Sequence, residues 1–297
     1  MTRIKQLGLL LILLLLAGGV FFNRVAIKGL ILDWQKPELP KAIEYSVIAS
    51  EAASLADEAK QSQNQDGIAE PVPSIPEGVA REFTPSMPEG LPRNDSIIPL
   101  EYNLDVPFQP QAPRADWNLP YQEACEEASL IMAGRFFSGR GLTVDEMDKS
   151  IKDLVEWERK RFGYYEDTTV AEVVSIAQEY FNLNASLDYD VSAENIKKHI
   201  SQNKLVLVPA AGKILPNPYF KNGGPLYHML VIRGYIQDKF ITNDPGTKRG
   251  KEFVYKYNDL LNAVHAWPRE TGGSKRDVSE AEMLQGEKVM IVVDKRN

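Results

Sequence analysis

HMLVIRGYIQDKFITND, residues 228–244, decides how the chain folds. Two runs rich in β-branched, aliphatic and aromatic residues, 229–236 and 239–244, flank Gln237-Asp238, the length of a two-residue hairpin turn. A hairpin brings its outer ends together, so His228 and Asp244 lie at the same end. The register, and with it whether they share a face, stays open. Further strand-like runs surround the hairpin: KLVLVPA (204–210), FVYKY (253–257) and KVMIVVD (288–294), with a short helix in NDLLNAVHAW (258–267). Upstream, after a short strand in LDVPFQP (104–110), the pattern turns helical. One helix is predicted over 122–137. A second follows Thr143, whose N-cap is completed by Glu146 three residues on. A third starts near Thr169 and a fourth after Ser192. Helices first and strands afterwards predict an α+β domain, with N-terminal helices packed on a C-terminal antiparallel sheet.

The whole chain has 297 residues, 43% hydrophobic and 25% charged, an ordinary globular balance. The net charge is −7. Arg3, Lys5, Arg24 and Lys28 sit in an acid-free opening of 28 residues, so the rest sets 30 cations against 41 acids. Phosphate binding needs clustered cations, and nucleic acid is excluded as a partner. The opening holds an uninterrupted apolar run from Leu7 to Phe22, between the length of a signal-peptide core and that of a full span. Residues 1–28 are therefore expected to act as an uncleaved signal anchor or a cleaved signal peptide. Either sends the rest out of the cytoplasm, as a single-pass cell-membrane protein or a secreted one. Residues 29–96 are rich in proline, and PSIPEGVAR (73–81) recurs as PSMPEGLPR (85–93). Such composition favours extended linkers, so this stretch is expected to be a stalk, with a possible helix over 42–60. The folded domain is expected over 97–297.

One cysteine and three histidines exclude an internal disulfide and show no zinc-ligand spacing, so no metal and no cofactor is expected. A lone cysteine with a distant histidine leaves thiol nucleophilic catalysis open. Cys125, in LPYQEACEEASLIM, stands at or near a helix start, where peptide dipoles favour a thiolate; a buried structural cysteine is the alternative. Glu126 and Glu127 follow it. At about 100° per residue they lie away from the cysteine's face and are expected to face solvent or cap the helix. A carboxylate beside His228 would fix its tautomer and stabilise imidazolium, the orienting role in a nucleophile–base–orienter triad. His199 and His265 show no comparable carboxylate in the sequence.

Taken in order, VPFQPQAP, ACEEASLIM, HMLVIRGY and TNDP resemble the C39-like cysteine peptidases of the papain-like superfamily, over roughly residues 104–245. That resemblance implies a papain-like fold, a nucleophile at Cys125, a general base at His228 and an orienting acid at Asp244, with Asn243 as the other choice. It also implies an oxyanion glutamine before the cysteine: Gln111, with Gln109 and Gln122 as competitors. The implied function is a thiol peptidase or amidase acting on a peptide or peptide-like substrate. A catalytically inactive domain binding peptide or cell-wall material, and an acyltransferase, share the same residues.

Overall fold

The computed structural model describes residues 36–51, 53, 54, 57, 98–273 and 278–296. The expected membrane segment (1–28) and the twelve-residue repeat (73–93) lie outside the described residues. The chain divides into two compact units, Met1–Leu39 and Pro40–Asn297. Only residues 36–39 of the first are described.

The second unit is α+β, with every strand pairing antiparallel. Its sheet comprises β1 (Tyr102–Asn103), β2 (Leu183–Asp188), β3 (Leu205–Ala211), β4 (Tyr227–Ile236), β5 (Lys239–Asn243), β6 (Phe253–Lys256) and β7 (Met290–Lys295). Strand order is β2-β7-β3-β4-β5-β6, and β1 pairs with the far end of β4. The helices are α1 (Cys125–Phe137), α2 (Val144–Arg161), α3 (Val170–Glu179), α4 (Ala193–Ser201), α5 (Tyr257–Ala263) and α6 (Glu280–Met283).

Local chemistry fixes the starts of α2, α3 and α4. Thr143 and Thr169 each accept from the backbone N–H three residues on, while Glu146 and Glu172 reach back to the cap N–H. Ser192 caps α4 through the Asn195 N–H. These orphan amides would otherwise be unsatisfied. The sequence reading missed β2, a short edge strand with small and polar residues that pairs with β7, some 110 residues downstream. It also placed the first strand at 104–110, whereas β1 ends at Asn103 and the chain then turns into a loop.

Helix α1 is the centre of the domain. It packs against α2 and α3 as well as β4 and β7, and every residue from Cys125 to Ala133 is buried. A helix enclosed on all sides has no solvent face to offer a charged side chain.

Part of the stretch read as linker is stitched onto this unit. A short helix begins at residue 45, inside the span where one was anticipated. Just before it, the Ile43 N–H donates to Asn103 O at 2.9 Å and its carbonyl accepts from Asp105 N at 2.8 Å. The Tyr45 ring then packs edge-on against Phe136 and Phe137 of α1. Burying an aromatic ring and pairing backbone groups offsets the ordering entropy that a polar linker would keep. Among the described residues no helix is long and apolar enough to cross a membrane.

Candidate active site

The hairpin forms as its turn suggested, and its register answers the question left open. Near the turn, Ile236 faces Lys239 and Gly234 faces Ile241; beyond an irregularity between Ile232 and Gly234, Ile232 faces Thr242 and Val231 faces Asn243. An unbroken register would set Asp244 opposite Val231, on the wrong face for His228. The bulge shifts the pairing by one residue, which exchanges the two faces. Asp244 then falls opposite Leu230 and diagonal to His228 on the same face. His228 Nε2 and Asp244 Oδ1 are 2.8 Å apart, both side chains fully buried.

Asp244 is well provided with donors. Tyr255 donates to Oδ2 at 2.6 Å, Asn217 Nδ2 to Oδ2 at 2.9 Å, and the Gly246 N–H to Oδ1 at 3.0 Å. Burial raises its pKa, but the His228 partnership and these hydrogen bonds outweigh that and hold it below the usual carboxylate value. Gly246 sits against the pair so closely that a Cβ there would lie 2.9 Å from His228 Cε1. Phe220 meets the imidazole edge-on, with ring centroids 5.3 Å apart. Asn243 points elsewhere: its Nδ2 donates to Val106 O at 3.0 Å and its Oδ1 accepts from the Glu252 N–H. Of the two choices for an orienter, only Asp244 meets the histidine.

Cys125 is the first residue of α1, 6% exposed, behind Ala124, which supplies no side-chain cap. The first amide of a helix has no intrahelical acceptor, so the Cys125 N–H is a ready donor. Strand β4 runs alongside: Ser129 Oγ, one turn into α1, donates to Met229 O at 3.3 Å, and a Met229 backbone hydrogen bond favours the Cys125 thiolate. With Nε2 of His228 engaged by Asp244, Nδ1 is the nitrogen left for a thiol.

The two glutamates after the cysteine correct the sequence expectation. Glu126 is 1% exposed and Glu127 0%. Neither faces solvent, because α1 is enclosed all round. The Cys125 thiol donates to Glu126 Oε2 at 2.9 Å. Burial, then Glu126, pushes the thiol pKa well above its ordinary value. Burial and the neighbouring Glu127 and Asp167 raise Glu126 likewise. Glu127 lies against Glu158 of α2, and burial pushes Glu158 up to about 9. Asp167 rises to about 7 from burial and the nearby Glu166. The wall behind the cysteine is therefore made of carboxyl groups that favour their neutral forms.

Gln111 is buried and tied to the same region by its backbone, whose N–H donates to Pro245 O at 2.9 Å. Its Nε2 is committed to Tyr121 O at 2.9 Å and Gln122 O at 3.2 Å. Of the competitors, Gln109 Nε2 donates to Leu142 O, while Gln122 Nε2 donates to Glu123. Only Gln111 is joined to the residue following Asp244.

The family can now be stated. The model of the Peptidase_C39 like family matches residues 103–274, more than half of the chain. The chain belongs to that family. A solved structure described as a C39-like peptidase, from Bacillus anthracis, is 17% identical with a TM-score of 0.40, covering 65% of this chain and 96% of that one. A comparison with curated proteins gives no significant match.

The other histidines are accounted for, one of them against expectation. His199 Nε2 does meet a carboxylate, Asp188 Oδ2, at 2.8 Å. The pairing was hidden because Asp188 ends the unrecognised strand β2; Asn195 Nδ2 shares the same oxygen and ties α4 to it. His265 Nδ1 bonds to Gly286 O, and burial lowers its pKa. Among the described residues no cluster of histidine, cysteine and acidic side chains could hold a metal. The sequence reading also missed Asn217 and Tyr255, whose roles depend on contacts 27 and 11 residues away.

Proposed function

We propose that the domain is a papain-like cysteine peptidase or amidase in which Cys125 is the nucleophile, His228 the general base and acid, and Asp244 the orienter. The observation that carries this reading is the buried, multiply hydrogen-bonded Asp244 held 2.8 Å from the His228 ring. Burying an imidazole and a carboxylate costs desolvation that their contact and the added hydrogen bonds must offset, and such a buried, fully bonded pair is a functional-site candidate.

In the proposed reaction, His228 takes the Cys125 proton and the thiolate attacks the scissile carbonyl carbon. The oxyanion receives the Cys125 backbone N–H, with Gln111 as second donor once its amide turns from the Tyr121 and Gln122 carbonyls. The carbon–nitrogen bond breaks as imidazolium protonates the leaving amine. His228 then deprotonates water, which attacks the thioester and restores the thiol. The Asp244 charge stabilises imidazolium throughout. Neither a metal nor a cofactor is needed. Residues 1–28 would tether the domain to the cell membrane facing outward, or direct its secretion. Fractionation after deleting them is the check.

One observation favours the second reading, a non-catalytic domain binding peptide or cell-wall material: the Cys125 thiol is bonded to a carboxyl oxygen, and its pKa is raised. A thiol-directed epoxide probe separates the two. Labelling of Cys125 at neutral pH that is lost in His228→Ala supports the peptidase. Labelling that ignores His228 supports the binding domain.

A further inference from the structure

The Glu126 side chain contacts the cysteine sulfur directly. Its Oε2 lies 2.9 Å from Sγ, its Oε1 is buried with no hydrogen-bond partner, and its side chain is sealed from water. Carboxyl groups gather behind it from several elements: Glu127 on α1 itself and Asp167 from the loop after α2 bear on Glu126, Glu158 from α2 bears on both glutamates, and Glu166 and Glu172 bear on Glu158 in turn. From β4 comes the hydroxyl of the buried Tyr227. Desolvation and mutual repulsion together make a second negative charge here costly. The sulfur and Glu126 can thus carry one charge between them far more easily than two.

We propose that Glu126 is a catalytic residue that sets the state of the nucleophile: protonated, it donates a hydrogen bond to the Cys125 thiolate; ionised, it accepts from the Cys125 thiol and holds the sulfur unreactive. The proposal rests on Cys125 being the nucleophile. In the reactive form the thiol proton has moved to His228, leaving thiolate and imidazolium, while Glu126 keeps its own proton and points it at the sulfur. In the resting form Glu126 has lost that proton to solvent, His228 is neutral, and the S–H bond points at Oε2.

The chain has one cysteine, so iodoacetamide alkylation of the full-length protein reports on this thiol alone. The alkylation rate of the wild type should fall as Glu126 ionises and rise again at alkaline pH as free thiolate forms. Glu126→Gln, neutral and still a donor, should remove the fall. It should exceed the wild type about tenfold at the wild-type minimum, the factor that one pKa unit represents. Glu126→Leu, neutral without a donor, should stay below Glu126→Gln. A Glu126→Gln profile that superimposes on the wild type overturns the proposal, as does a Glu126→Leu profile equal to that of Glu126→Gln. If Glu126→Gln does not fold, the wild-type curve decides, and a monotonic rise with pH overturns it. His228→Ala tells the two readings apart. If it leaves the wild-type rate unchanged, the nucleophile assignment itself fails. A His228-dependent rate with no effect of Glu126→Gln sinks Glu126 alone.

Discussion

Tyr255 and Asp244 are joined by a hydrogen bond of 2.6 Å, from the tyrosine hydroxyl to the carboxylate oxygen that His228 does not use. Tyr255 faces Phe240 across the β5–β6 pair, and therefore shares the sheet face of Phe240, Thr242 and Asp244. Its long side chain reaches along that face to the carboxylate. A hydrogen bond to a buried charge contributes about 1.5–3 kcal/mol. Tyr255→Phe should lower unfolding stability by that amount at pH 7, leaving Asn217 as the donor to Oδ2. Asp244 titrates below its ordinary value in the fold, so its contribution is present above about pH 4 and is lost as pH falls through its folded value. The deficit of Tyr255→Phe should accordingly shrink in acid. Urea denaturation at pH 7 and pH 3 measures both arms.

Substitutions in the proposed triad should differ in kind. Cys125→Ala and His228→Ala should each abolish turnover of peptide or amide substrates, because groups acting as a unit do not divide the work. Asp244→Asn should be milder. Its amide oxygen can still accept from the imidazole and orient it, while the charge that stabilises imidazolium is gone. The new amide nitrogen would also meet the Asn217 Nδ2 donor, so some loss of stability should accompany the kinetic effect. Turnover and thermal melting of the three variants, taken together, distinguish these roles. Equal loss in all three would make Asp244 more than an orienter.

How much of this was legible beforehand follows from the range of each interaction. The caps at Thr143, Thr169 and Ser192 could be read because donor and acceptor lie three residues apart. The hairpin could be read because its turn is local, and with it the end at which His228 and Asp244 meet. Their common face could not. It depends on the bulge at residues 232–234, where Arg233 is drawn toward Asn103 and Val106, more than 120 residues earlier. The surroundings of Glu126 and Glu127 were misread for a related reason. Helical periodicity tells which residues share a face, but not how many faces the fold will cover. Asn217, in a loop without periodic pattern, carries no signal at all.

The carboxyl wall behind the cysteine should make stability fall with rising pH. A buried carboxyl with a raised folded pKa holds a proton that the unfolded chain has released. Its contribution is complete below the unfolded value and is lost as pH rises through the folded one. For Glu158 that window runs from its ordinary value of 4.5 to about 9, and for Asp167 from 3.8 to about 7. Glu158→Gln removes the titration at almost unchanged size and shape. It should be nearly neutral at pH 5 and stabilising at pH 8 by at least about 1.4 kcal/mol, the worth of one pKa unit. Chemical denaturation at the two pH values is the check. A variant equally stable relative to wild type at both would mean that Glu158 is ionised in the fold.

Gly234 links the bulge to the sheet edge. It pairs with Asn103 of β1 on one side and Ile241 of β5 on the other. A Cβ at this position would lie 2.4 Å from the Tyr102 carbonyl oxygen and 2.9 Å from Asn103 Cα, both of them backbone atoms that no rotamer change can move. Gly234→Ala must therefore push β1 away from β4, at about 1–3 kcal/mol for an overpacked site. The strain should fall on what β1 holds in place: the Asn103 contact with Arg233, and the Ile43 segment bonded to Asn103 and Asp105. Limited proteolysis should then cut earlier near residues 43–51, while His228 and Asp244 stay paired through β5 and β6. A Gly234→Ala variant that loses epoxide labelling of Cys125 without loosening the 43–51 segment would show that the bulge, and not β1, is the part that gives way.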